Sequence, residues 1–180
     1  MSTYHHGDLR AALLRAAGKR LEKQGIAALS LRGAARRAGV SHNAPYRHFA
    51  DREALLAALA AEGFHLLGQE LDKASGREMG EAYVRFALQH PQRFRLMFGG
   101  RIALDKHPQL RAAASSAFDQ LQAAFSGYVL DARTAAAAAW SLVHGLSHLI
   151  LDGHFEQRDE EFVKRVLGAV RFAVGPQRSA

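Results

Sequence analysis

Residues 41–52 read SHNAPYRHFADR and gather the side chains best suited to gripping a partner through hydrogen bonds. His42, Asn43 and Arg47 carry donors, and Tyr46 and His48 add two more polar rings. A second group lies far downstream. There Trp140, His144, Ser147 and Leu151 share one helical stripe, with His148 at its edge. Apolar walls with a few polar groups suit a small-molecule site, which Phe94, Met97, Phe98, Phe118 or Phe125 would help to line. Aromatic residues at helical spacing equally fill a core, so both readings stand. His144 and His148 also have the i, i+4 spacing of a helical metal pair, with His90 or Asp152 as further ligands. Two histidines fall short of the three or four ligands a zinc site uses, so no metal is assigned. There is no cysteine nucleophile, Gly-rich phosphate loop or Gly-x-Ser-x-Gly elbow, and no spacing suggests a triad. The chain is not expected to be an enzyme, and no cofactor is implied.

The charge distribution points the same way as the donors. The chain of 180 residues has a net charge of +7. Between Met1 and Leu55 there are ten Lys or Arg against four acids, 10 − 4 = +6, so almost the whole excess lies in the first third. A basic excess confined to one segment suggests a polyanion partner, although a solvated basic surface carries the same count. No run of about 18 consecutive apolar residues suggests a membrane span. The polar start, Met1 to Arg10, lacks a signal-peptide core. The absence of cysteine fits a reducing compartment, and a cytoplasmic location is expected.

These side chains must be positioned by helices. Ala, Leu and Arg dominate and period-two strings of Val, Ile and Thr are absent, so the fold is expected to be all-α. Leu9, Leu13, Ala17 and Leu21 make one apolar stripe of a first helix, Asp8–Gln24, which Gly25 ends. Ser30 caps a short second helix, Leu31–Ala38, and Gly39 breaks it in a turn that needs positive φ. Ser41 caps a third helix over about 42–49, with Pro45 tolerated in its first turn. Asp51 caps a fourth running to about Lys73. Residues 74–80 read as a connector. Helices follow over 81–90, 91–98, 108–128, 133–151 and 159–174.

The segment from Ser30 to Leu56, SLRGAARRAGVSHNAPYRHFADREALL, resembles the helix-turn-helix of the tetracycline-repressor (TetR) family. The likeness lies in Ser30, Ala38–Ser41, the Tyr-x-His-Phe run Tyr46–Phe49, Arg52 and the pair Leu55–Leu56. The family often has a large aliphatic residue where Ala34 stands, which weakens a packing contact without touching the reading face. The resemblance implies a helix-turn-helix domain over 1–54 and an effector-binding and dimerisation domain over 55–180. It makes double-stranded operator DNA the partner. His42, Asn43 and Arg47 then meet base edges, with Ala44 and Pro45 near thymine methyls. Ser41 opens the same segment. By resemblance Tyr46 and His48 contact phosphates. Ser30, Arg32 and Arg52 stand at or near helix N-termini, which also attract phosphate. Tyr4, His5, His6 and Arg10 would add backbone contacts.

Trp140, His144 and Gly145 resemble the Trp-x-x-x-His-Gly element of a WHG-type C-terminal domain. A tentative effector site follows from Phe94, Phe98, Phe118, Trp140, His144 and His148. Val163, Val166, Leu167, Val170 and Val174 form one apolar stripe, and Leu142, Leu146 and Leu149 another. Both can fill the core of one chain. The family implies instead a homodimer through the last two helices, about 133–151 and 159–174. The function implied is a repressor released from a palindromic operator by an unknown small-molecule effector. The alternatives are a regulator with no small ligand, and a metal-responsive one using His144 and His148.

Overall fold

The computed structural model describes residues 9–126 and 131–170. Among these residues it has eight α-helices and no strand, as the composition predicts. The helices are α1 (Leu9–Gln24), α2 (Leu31–Ala38), α3 (Arg52–Asp72), α4 (Arg77–Gln89), α5 (Pro91–Phe98), α6 (Pro108–Ala123), α7 (Ala132–Leu151) and α8 (Glu160–Ala169). The contacts separate two compact units. Among the described residues, one holds those up to Gly63 together with His90–Ala113, and the other holds Phe64–Gln89 together with those from Ala114 onward.

In the first unit, α1 buries Leu9, Leu13, Ala17 and Leu21, the stripe read from the sequence. Local signals set the ends as expected. Gly25 has φ 75° and Gly39 φ 70°, conformations that a side chain would strain. The Ser30 hydroxyl accepts the N–H of Gly33 at 3.1 Å, and the Asp51 carboxylate accepts that of Ala54 at 2.8 Å. The expected third helix over 42–49 is instead a 3-10 turn of four residues, Ala44–Arg47. The span between Gly39 and Asp51 is too short to repay a costly helix nucleus, and Pro45 withholds one N–H.

One charge is buried at the heart of this unit. Arg93 on α5 is only 8% exposed. Its Nη1 donates to Glu62 of α3 at 2.9 Å and to the Leu59 carbonyl at 3.3 Å. The Glu22 carboxylate of α1 accepts the backbone N–H groups of Gln92 and Arg93 at 3.3 and 3.2 Å. Pro91 has no N–H to offer, so Glu22 satisfies the next two orphan donors and meets the positive end of the α5 dipole. Gly18 on α1 has a place in this arrangement. A Cβ there would lie 2.8 Å from Arg93 Nη2.

In the second unit, α4 packs on α7 and α8. Tyr83, Phe86, Val143, Leu146, Ile150, Val163 and Leu167 are buried. Helix α4 begins at Arg77, four residues before the expected 81, and so includes Gly80. A Cβ on Gly80 would approach Leu167 and Val143 at 3.2 and 3.3 Å, so its glycine admits the close approach of α7 and α8 and is not a linker. Helix α8 stops at Ala169, and Val170 is extended (φ −101°, ψ 126°) after Gly168 in the last turn. Asp8, Tyr128 and Val174, expected at helix ends, lie outside the described residues. Helix α7 is apolar and long enough to cross a membrane by length and composition alone, with 28% of its most apolar window buried.

Replacing Arg93 with Ala removes a buried cation that two carboxylates face. Glu62 retains some solvent, so the loss in unfolding free energy is expected toward the lower end of about 3–5 kcal/mol. Chemical denaturation checks it. A loss below about 1 kcal/mol would mean the pairing behaves as a surface bridge.

Candidate nucleic-acid interface and aromatic cluster

The turn Ala44–Arg47 is held by what it buries. Pro45 is fully buried and Phe49 is 3% exposed, and α2 packs against the turn. The guanidinium of Arg10 on α1 lies 5.5 Å from the centre of the Phe49 ring. With these anchors inside, the polar side chains face outward. Ser41, His42, Asn43 and Arg47 are exposed, His48 is half-buried, and Tyr46 is 49% exposed, the largest value among the bulky hydrophobic side chains described. Tyr46 therefore does not pack away against α1. Ser30 and Arg32 are exposed at the start of α2, and Arg36 and Arg37 at its end.

Two residues of the expected reading set stand elsewhere. Pro45 cannot offer its ring to a base, because burial turns it inward to anchor the turn. Arg52 is exposed at the start of α3, as expected, but two of its donors face backbone: Nε donates to the Leu29 carbonyl at 2.8 Å and Nη2 to the Ile26 carbonyl at 2.7 Å. Tyr4, His5 and His6 lie outside the described residues.

In the second unit the structure brings Trp140, His144, His148 and Phe118 together. Ring centres are 5.9 Å apart for Phe118–Trp140, 5.7 Å for Trp140–His144 and 4.7 Å for His144–His148. The Arg133 guanidinium lies 5.8 Å from the Phe118 ring centre. The residue that links them escaped the sequence reading. Tyr83 of α4, 6% exposed, accepts the Trp140 indole N–H at 3.1 Å and stands 2.9 Å from His144 Nδ1. A phenol has one proton, so the arrangement that satisfies all three groups donates it to Nδ1 and leaves the His144 proton on Nε2. Burial pushes the Tyr83 phenol far above its ordinary range. Burial, and then the neighbouring charge of His148, hold the His144 imidazole below its usual value. The one available signal was a tyrosine among the apolar residues Ala82, Val84 and Phe86, since a buried phenol needs a partner.

Phe94 and Phe98 belong to the first unit, where their ring centres are 4.9 Å apart. Phe94 is fully buried, which makes it core and corrects its expected place in a ligand wall. Among the described residues no three of His, Asp and Glu gather as metal ligands. Leu88 and Val163 line a small recess of about 90 Å³, with Arg85 and Arg158 beside it. Drug-sized ligands occupy roughly 300–1,000 Å³, so this recess is too small for one.

The cluster makes stability depend on pH with a definite sign. His144 binds a proton less readily folded than unfolded. Its contribution is full above about 6.5 and is lost as pH falls from there through the lowered folded value. Melting curves between pH 7.5 and 5 should show this fall, and His144→Asn should flatten it. Tyr83→Phe removes a hydrogen bond from each of two polar groups and should cost about 1–3 kcal/mol. A wild type and His144→Asn with the same pH profile would refute the assignment.

Comparison with known proteins finds matches for two stretches of the chain. Residues 13–59 match the family model described as bacterial regulatory proteins, tetR family. Residues 77–170 match the model described as tetracyclin repressor-like, C-terminal domain. A solved protein of unknown function from Rhodococcus sp. RHA1 is 35% identical, with 94% of each chain covered and a TM-score of 0.80. A bacterial regulatory protein in the tetR family from Rhodococcus RHA1 is 18% identical over 99% of this chain and 100% of that one, with a TM-score of 0.65. NalD, the secondary repressor of the MexAB-OprM multidrug efflux pump in Pseudomonas aeruginosa, is 20% identical over 92% and 95%, with a TM-score of 0.60. The last two share the fold. No curated protein matches the chain.

Proposed function

This chain belongs to the tetracycline-repressor family of bacterial transcriptional regulators, and from that premise we propose that it is a repressor which a small-molecule effector releases from a palindromic operator. The observation that carries the proposal is the exposed row Ser41, His42, Asn43, Tyr46 and Arg47 on a turn whose Pro45 and Phe49 are buried. Donors held on a rigid base are what base-edge reading requires. Arg47 and Asn43 have the chemistry for guanine and adenine. Tyr46, His48, Ser30 and Arg32 have the chemistry for phosphates, the last two at the N-terminus of α2. The function places the protein with the chromosome in the cytoplasm.

Two copies are proposed to pair through α7 and α8. Helix α7 has a mean hydropathy of 1.3 over its most apolar window, yet only 28% of that window is buried within the chain. Leu149 is 43% exposed and Val170 39%. A Cβ on Gly145 would meet nothing within 4 Å, which leaves room for another helix. An apolar face of this kind is covered in a symmetric dimer, and two-fold symmetry makes the operator palindromic. The effector is proposed to bind at Phe118, Trp140, His144 and His148. By linkage, operator DNA would weaken effector binding by the same factor that the effector weakens operator binding.

Titration against the chain's own upstream intergenic DNA, beside a random duplex at two salt concentrations, tests the first claim. Tight, salt-dependent binding to the upstream fragment alone is expected. Arg47→Ala should lower the preference for it by roughly 5- to 150-fold. A folded chain that binds neither duplex at low salt would refute the function. Leu149→Glu should shift the mass in light scattering from dimer to monomer, and an unchanged dimer would move the interface elsewhere.

A further inference from the structure

Arg52 closes the base of the reading motif, and its geometry carries a role distinct from phosphate binding. The two carbonyls that it grips lie 23 and 26 residues earlier in the chain, at Leu29 and Ile26. Between those carbonyls and Arg52 lie α2, the Gly39 turn and the reading turn Ala44–Arg47. Ile26–Ala28 is itself a 3-10 turn, and the Leu29 N–H also bonds to the Ile26 carbonyl at 3.2 Å. Ser30, the cap of α2, comes next. Arg52 in turn opens α3 beside Asp51, whose carboxylate caps the same helix. One planar guanidinium thus ties the entry of the motif to its exit.

We infer that Arg52 is a positioning residue, a staple that fixes α2 and the reading turn relative to each other, so that operator preference depends on its two carbonyl bonds. The inference rests on the DNA-binding function proposed above. It follows from the shape of the group. A guanidinium presents donors in a fixed fork that can hold two acceptors at once, whereas a lysine ammonium is a point charge that cannot span both in the same geometry. Both acceptors are neutral carbonyls, and each needs a donor directed at it. Fork geometry is therefore what the site needs, and charge alone does not replace it.

Arg52→Lys and Arg52→Gln in the full chain separate the two roles. For the staple, Arg52→Lys should lose about tenfold or more in affinity for the upstream fragment, the scale of two bonds from a charged donor. Its affinity for a random duplex and its salt slope should stay within error, because the charge remains. Arg52→Gln should show a similar loss of preference. For a phosphate contact, Arg52→Lys would behave as wild type. Arg52→Gln would then weaken both duplexes equally and lower the salt slope by about one. That pattern overturns the inference, as does an equal loss on both duplexes in Arg52→Lys, which marks general damage. Amide hydrogen exchange without DNA gives a separate reading. Arg52→Lys should speed exchange over residues 26–38 and leave α4, α7 and α8 unchanged. If wild type binds neither duplex, the DNA-binding function fails, while the exchange result still decides whether the staple exists.

Discussion

Four residues of 3-10 helix cannot hold a reading surface by themselves. Such a turn has few internal bonds, and their geometry is poorer than in an α-helix. Here Tyr46 and Arg47 of the proposed reading set sit on just such a turn, Ala44–Arg47, with Ser41, His42 and Asn43 leading into it and His48 following. Its position therefore depends on what grips it from below and from its ends. Pro45 and Phe49 fill the interior, Arg10 lies over the Phe49 ring, and Arg52 ties the following helix back to the start of α2. The same anchors explain why Tyr46 can remain so exposed. With Pro45 and Phe49 already buried, a third large side chain is not needed inside, and Tyr46 is presented outward.

A similar constraint governs the rest of that unit. Helix α5 opens with a proline and has only His90, without a side-chain bond, as its cap. Its first donors would be orphaned without Glu22, which sits on α1 some 70 residues earlier. Arg93 then carries the charge of that carboxylate onward to Glu62 on α3. Three helices thus meet at one buried cation, and Gly18 lacks a side chain where the cation passes. Helix α5 follows α4 after the single residue His90, and α4 bears Tyr83. The chain between the aromatic cluster and the capped start of α5 is therefore short and almost wholly helical.

The sequence shows these arrangements unevenly, and the division has a physical cause. Ser30, Gly39, Asp51 and Pro91 act on residues within one turn of themselves, so their roles follow from spacing. The all-α class and the apolar stripe of α1 follow from composition and period. Residues 42–49 read as a helix in the sequence, because the pattern of eight residues does not reveal whether a nucleus is worth its cost. Gly80 looked like a linker, because what needs its missing Cβ comes from Val143 and Leu167, far along the chain. The backbone partners of Arg52 and the burial of Arg93 are hidden from the sequence for the same reason. Their acceptors are 23 or more residues away, and nothing in the local pattern distinguishes a bound guanidinium from a solvated one.

Tyr83 shows what such a long-range partner adds to the proposed effector site. Trp140 and His144 alone would present two polar groups to a largely apolar surface, each with a desolvation cost of its own. The phenol between them absorbs both: it takes the indole proton and gives its own to Nδ1. The result is a cluster that is polar, uncharged and internally satisfied, which fixes the His144 tautomer before any ligand arrives. At the proposed effector site the cluster thus carries aromatic faces, with the Arg133 charge held near Phe118. Preorganisation of this kind lets affinity come from the ligand's own contacts, since little side-chain ordering remains to be done on binding.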